Sequence, residues 1–259
     1  MDQDELKEFL DRKVDEYNQP SFILHDPVSI PHRFQKQQDI EIAGFFAAIF
    51  SWGTRTTIIQ KSNELLGLMN DRPYEFIHSH REKDLKRFLA FKHRTFNPTD
   101  VLHFIRILHH HYQDHESLED AFLPKESLSK KNIPIESSLN HFHHYFFSLD
   151  DSPARTRKHI SAPEKKSTCK RLNMFLRWMV RNDKQGVDFG IWRKISPSQL
   201  ICPIDLHVAR VAKRFGILTR QQVDWAAALE LTAQLRTLDK KDPVKYDFAL
   251  FGLGVIEHF

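Results

Sequence analysis

Glycine is scarce in this chain, at 8 of 259 residues. That is about 3% against a usual ~7%, and a turn-rich β architecture would use more. Cysteine is scarcer still. Cys169 and Cys202 are too few for a four-cysteine zinc site, a cysteine-ligated iron–sulfur cluster or a disulfide framework. No run of about 18 apolar residues occurs, and the opening MDQDELKEFLDRKVDEY is acidic and amphipathic. A reduced, cytoplasmic protein with no signal peptide and no membrane partner is the expectation. No internal repeat, low-complexity tract or long alternating stretch is present, so nothing demands a sheet.

What the chain does have is bulk and charge. Phenylalanine occurs 21 times, and 41% hydrophobic with 28% charged residues can bury a core, which excludes a disordered chain. An all-α protein follows. The charge is unevenly divided: residues 1–150 hold 18 Lys and Arg against 23 Asp and Glu, whereas residues 151–259 hold 20 against 11. Between Arg155 and Arg181 nine cations face one acid, Glu164. A polyanion bound by the C-terminal half fits this bias, and a plain solvated basic face fits it too.

Along the chain, the proline-punctuated segment Pro20 to Pro31 is expected to be extended. Asp39 is expected to cap a helix whose apolar face carries Ile42, Phe45, Phe46 and Ile49. A turn at Trp52-Gly53 then leads to a helix from Thr54 to Met69. Further helices are expected from Pro98, from Ile135 to Phe147, and near 169–182, 205–216, 224–236 and 243–256, with a long basic loop at 148–168. Asp242-Pro243 reads as a cap with a first-turn proline.

The most informative stretch is Pro203-Ile204-Asp205-Leu206-His207-Val208-Ala209-Arg210-Val211-Ala212-Lys213-Arg214-Phe215-Gly216. Apolar positions 208, 211, 212 and 215 form a stripe, and His207, Arg210 and Arg214 line another face that begins beneath Asp205. Read alone, Asp205 is a helix N-cap. The segment also resembles the one that carries the catalytic aspartate in the helix-hairpin-helix DNA glycosylase superfamily. Asp39 to Leu68 resembles the superfamily's early helix pair and Tyr246 to Val255 its closing helix, so the likeness spans about residues 35–259.

The resemblance implies two helical lobes with a cleft between them, the whole chain forming one helical domain, with Asp205 as the catalytic carboxylate. The chain lacks the glycine-rich hairpin before that aspartate, since Gly186-Val187-Asp188-Phe189-Gly190 is degenerate. The usual hairpin lysine and the cysteine cluster of the iron–sulfur branch are missing as well. The layout is most similar to the divergent archaeal 8-oxoguanine glycosylase branch, which implies Lys170, in Lys170-Arg171-Leu172-Asn173-Met174-Phe175-Leu176-Arg177-Trp178-Met179, as the nucleophile. The whole chain also resembles an uncharacterised bacterial family of unknown function.

Lysine attacks a sugar carbon only as the neutral amine, and the nearby cations Arg171 and Arg177 favour that form. An anionic Asp205 suits the positive charge that develops on deoxyribose as a base leaves. Lys170 as a phosphate contact is the other reading. DNA is the implied partner, with Arg55, Arg171, Arg177, His207, Arg210 and Arg214 as candidate contacts. Trp52 and Trp178 are candidate base-stacking platforms, with Trp192 and Tyr246 behind them. Among 16 histidines, His111 and His115 have a spacing that can share a metal, but no third ligand is evident and no metal or other cofactor is expected. Base-excision repair by a glycosylase with lyase activity is the leading expectation. A non-catalytic nucleic-acid-binding protein and a protein-interaction module, docking through the acidic half, are the alternatives.

Overall fold

The computed structural model describes residues 2–124 and 133–259. Among these residues all regular structure is helical, with no strand and one isolated bridge between His93 and Phe96. The α-helices are α1 (Gln3–Tyr17), α2 (Pro20–Ile23), α3 (Gln37–Phe50), α4 (Arg55–Leu68), α5 (Pro73–Ser79), α6 (Pro98–Asp114), α7 (Ile135–Phe146), α8 (Lys170–Val180), α9 (Leu206–Arg214), α10 (Trp225–Leu238) and α11 (Tyr246–Val255). No helix among them is long and apolar enough to cross a membrane. The chain divides into two compact units. One comprises Met1–Leu24, Asn132–Glu136 and Ala162–Phe259; the other comprises His25–Lys131 and Ser137–Ser161.

The unit built on residues 25–131 and 137–161 holds 13 of the 21 phenylalanines. Every side chain from Ile40 to Phe50 of α3 is buried, because α3 is the central helix of its unit and has no solvent face. Phe45 stacks on Phe104 of α6 at 5.6 Å, and Phe122 stacks on Phe142 of α7 at 4.0 Å. Each fully buried ring of this size contributes roughly 1.5–3 kcal/mol over leaving it in water. Among the carboxylates buried in this core, Glu41 accepts hydrogen bonds from Tyr112 Oη (2.8 Å), Ser117 Oγ (2.6 Å) and the Leu118 amide (2.9 Å). These donors replace the water that the buried charge gives up.

Several local expectations change. Asp39 does not cap α3, which starts two residues earlier at Gln37; its carboxylate accepts from the Tyr74 amide (2.8 Å) in the first turn of α5. Pro20 to Pro31 is not extended. Each proline there opens a short helical turn, at Pro20–Ile23, Pro27–Ser29 and Pro31–Arg33, because its fixed φ suits a first helical position. The expected loop at 148–168 likewise contains 3₁₀ turns at Ala154–His159 and Pro163–Lys165. The Trp52-Gly53 turn is present, with Gly53 at φ +122°, a conformation that side chains resist. Thr54 Oγ1 then caps α4 by accepting from the Thr57 amide.

In the other unit α11 lies against both α1 and α9. α1 turns Leu6, Leu10 and Val14 inward, and a capping box between Asp2 and Glu5 starts it. The approach of α1 to α11 is close enough that a Cβ on Gly252 would overlap the Tyr17 ring, so glycine is required there. Val208, Ala209, Val211 and Ala212 of α9 are buried, while Phe215, expected in the same stripe, is half-exposed beyond the helix end. α11 begins at Tyr246 after a 3₁₀ turn, Pro243–Lys245, and Asp242 makes no cap. Its carboxylate accepts from Arg181 instead, a charge-assisted bond that a backbone amide does not match.

Candidate active site

α8 and α9 begin at one place. The segment leading to α8 is held in an unusual conformation: Lys166 and Cys169 both adopt left-handed backbone, at φ 58° and 52°, which non-glycine residues avoid. Local hydrogen bonds stabilise it. Ser167 Oγ accepts from the Cys169 amide (3.1 Å), Thr168 Oγ1 accepts from the Lys170 amide (3.4 Å), and Asn173 Nδ2 donates to the Thr168 carbonyl (3.0 Å). Strain of this kind costs on the order of 1–3 kcal/mol and persists where surrounding contacts over-determine it. Its result is a fixed position for Lys170, the first residue of α8.

Opposite it, Asp205 follows the buried Pro203-Ile204 pair and caps α9. Its Oδ1 accepts from the amides of His207 (2.9 Å) and Val208 (3.0 Å). Its Oδ2 accepts from Lys170 Nζ at 2.6 Å, across 35 residues of sequence. The side chains keep 32% and 21% of their surface, so the pair is neither sealed in the core nor fully solvated. Burial raises the Asp205 carboxyl, but the Lys170 charge and hydrogen bond, with the Val208 amide, outweigh it and hold the group below its usual range. Asp205 is therefore both a cap and the partner of an amine.

Two turns along α8 from Lys170, Arg177 points into the protein. Its Nε lies 3.3 Å from Asp188 Oδ1, its Nη1 donates to Asp247 Oδ2 on the first turn of α11, and its guanidinium lies 4.3 Å from the Phe248 ring. One turn further, Arg181 holds Asp188 Oδ2 (3.0 Å), Asp242 Oδ2 (2.8 Å) and Asp183. Asp183 also accepts from Asn18 Nδ2 (2.6 Å). Asp247 differs from the others. Burial raises it, Arg177 opposes, and the nearby Asp205 charge raises it again, leaving the carboxyl at about 6. The adjacent Cys202 thiol is pushed well up, mainly by burial and further by Asp247.

Arg177 is thus a buried ion-pair partner with 4% exposure and presents no guanidinium to a ligand at the surface, contrary to the expectation for it. Trp178 and Tyr246 are fully buried, and Trp192 nearly so, which makes all three core residues and leaves no exposed stacking face. Arg171 is half-buried, and burial lowers its guanidinium to about 10. His207 and Arg210 are exposed on α9. Arg210 donates to the carbonyls of Phe259 (3.0 Å) and Gly254 (2.8 Å), and Arg214 lies 4.9 Å from the Phe259 ring, so both help to hold the segment after α11.

Trp52 and Arg55 belong to the other unit. Trp52 is half-buried at the turn before α4, with the Arg94 guanidinium 5.2 Å from its ring and His93 and His159 edge-on to it. Arg55 is the first residue of α4. His111 accounts for both ring nitrogens, with Tyr145 Oη and the Ser117 carbonyl each at 2.9 Å, and burial lowers it to about 4. Among the described residues no three His, Cys, Asp or Glu side chains converge as a metal site.

Sequence reasoning missed Asp188 and Asp247. The available signal was the Arg177–Arg181 spacing: two arginines one turn apart on a helix whose other face is also apolar must find carboxylates. Residues 26–256 match a family model described as a protein of unknown function, DUF2400. No curated protein and no solved structure matches the chain.

Proposed function

The chain belongs to the DUF2400 family, whose description assigns no activity, and we propose from the geometry of α8 and α9 that it is a DNA base-excision glycosylase with lyase activity. The observation that carries this reading is the 2.6 Å pairing of Lys170 Nζ with Asp205 Oδ2 at two converging helix starts, partly open to solvent. The residues are those that the helix-hairpin-helix glycosylase resemblance singles out, and their contact is the one its chemistry needs.

In that chemistry the Lys170 amine, once neutral, attacks C1′ of a deoxynucleotide as the bond to the base breaks. The base leaves with the bonding electrons and takes a proton, and the amine nitrogen loses one. Opening of the sugar at O4′ then gives a Schiff base between C1′ and Nζ. Loss of a C2′ proton from it expels the 3′ phosphate and cuts the strand. The Asp205 carboxylate stabilises the cationic sugar and accepts a proton from the attacking nitrogen. An oxidised purine such as 8-oxoguanine is the substrate suggested by the branch the chain resembles.

The second reading, a nucleic-acid-binding protein without catalysis, draws on the other Asp205 oxygen, which is committed to capping α9. Borohydride trapping separates the two. Duplexes carrying 8-oxoguanine, uracil or an abasic site are incubated with wild type, Lys170→Gln and Asp205→Asn. A covalent adduct on a base-containing duplex that disappears in Lys170→Gln supports the glycosylase. Salt-dependent binding with neither adduct nor released base on any duplex supports the binding protein.

A further inference from the structure

We infer that the phenylalanine-rich unit carries a ligand site of its own: a cleft between α6 and the 3₁₀ turn Glu82–Phe88 that takes an apolar carboxylic acid with a hydroxyl beside its carboxylate. The inference is independent of the glycosylase reading.

The cleft has a volume of about 470 Å³, within the range of small-molecule sites. Leu102 and Ile105 of α6 line one side of it, and Leu85 and Leu89, in and just after the 3₁₀ turn, line the other. Leu89 keeps 59% of its surface and is the one large apolar side chain left exposed among the described residues of this unit. Leu102, Arg106 and His109 follow one another at helical spacing, so α6 presents an apolar stretch that ends in a guanidinium and an imidazole.

The polar groups of the cleft specify the ligand. His109 Nδ1 lies 2.7 Å from the Ile77 carbonyl, and His80 Nδ1 lies 3.0 Å and 3.2 Å from the carbonyls of Phe76 and Ile77. A carbonyl only accepts, so in the neutral rings each Nδ1 carries the hydrogen and each Nε2 offers a lone pair. Neither Nε2 atom nor the Arg106 guanidinium has a hydrogen-bond or ion-pair partner among the described residues. The neighbouring cleft of about 540 Å³ differs: Arg72 there pairs with Glu75, Arg81 with Asp84, and Arg87 donates to the Leu68 carbonyl and to Asn70. A ligand carboxylate accepts from Arg106, an adjacent hydroxyl donates to an imidazole Nε2, and the hydrocarbon covers the leucines. The one acid lining the cleft, exposed Asp151, also lacks a partner and works against an anion.

Titration calorimetry of the full chain with decanoate, α-hydroxydecanoate, decanol and decylamine, each up to about 1 mM, reads the ligand class in wild type without recourse to any variant. The hydroxy acid is expected to bind most tightly, decanoate roughly three- to ten-fold less tightly, and the alcohol and the amine at least roughly ten-fold less tightly than decanoate. Arg106→Gln should weaken both acids roughly ten-fold or more, Leu89→Ser should weaken both roughly three-fold, and Asp151→Asn should tighten both. All three side chains are exposed, so these variants should keep the fold, which circular dichroism checks. The absence of saturable binding by either acid overturns the inference, as does an affinity that Arg106→Gln leaves unchanged. Decylamine binding as tightly as decanoate, or equal affinity for the two acids, overturns the assigned ligand class. Those outcomes leave the glycosylase reading standing, because only trapping on damaged duplexes tests it. An absent adduct, conversely, leaves the calorimetric result intact.

Discussion

Among the carboxylates that both units bury, Asp100 in one and Asp247 in the other are pushed in opposite directions. Burial raises both. Around Asp100, however, donors are plentiful: Thr156 Oγ1 at 2.7 Å, the Asn97 amide at 2.9 Å and the Arg155 guanidinium, with His159 Nε2 3.2 Å away. Together they outweigh burial and hold that carboxyl well below its usual range. Asp247 shares one guanidinium with Asp188, feels the Asp205 charge, and rises to about 6. Burial alone does not say what a carboxylate is for. The balance of donors against neighbouring acids separates a structural anchor, which never titrates near neutrality, from a group poised to change charge.

The largest expected effect concerns the site itself. Lys170→Gln should abolish any borohydride adduct that wild type forms, and Asp205→Asn should slow its formation roughly 100-fold or more, whereas Asp100→Asn should trap at the wild-type rate per folded molecule. An adduct that survives in Lys170→Gln would remove the distinction between the two clusters as far as catalysis is concerned.

Stability should show the reverse ranking. Asp100→Asn leaves Arg155 without its counter-charge and should cost about 3 kcal/mol, read from the urea midpoint. The pH dependence then separates the two acids by sign. The Asp100 contribution is fully present above the unfolded value of 3.8 and is lost as pH falls below it towards the depressed folded value. For Asp247 the folded state binds more protons than the unfolded one between 3.8 and about 6, so stability falls as pH rises across that window. Thermal unfolding from about pH 3 to about pH 7 should show a rise that Asp100→Asn flattens and a later decline, on the order of 2 kcal/mol, that Asp247→Asn flattens. The smallest effect is expected at Arg214, whose exposed contact with the Phe259 ring should contribute about 0.5 kcal/mol when removed by Arg214→Ala.

How much was legible beforehand varied with the range of the forces involved. Helices at α6, α8, α9 and α10 announced themselves through caps, proline positions and apolar spacing, all of which act within one or two turns. Pro20 to Pro31 misled because a proline disfavours helix in the residue before it yet suits the first position of a turn after it, and spacing along the chain does not say which effect prevails. Asp205 was legible as a cap and, through resemblance, as a candidate carboxylate. Trp178 and Arg177 were misplaced on the surface because both faces of α8 are covered, and a hydrophobic pattern shows only that one face must be.

The amino-acid sequence by itself determined that this protein is helical, that its core is rich in phenylalanine, and where most helices start, since propensity, capping and periodicity are local properties. Only the tertiary structure decided that the starts of α8 and α9 meet, that Lys170 reaches one oxygen of Asp205 while backbone amides occupy the other, and that buried Asp247 is paired with Arg177. Those facts depend on the direction of side chains brought together from 35 or more residues away, and on the loss of water around them, which makes each unmatched charge count.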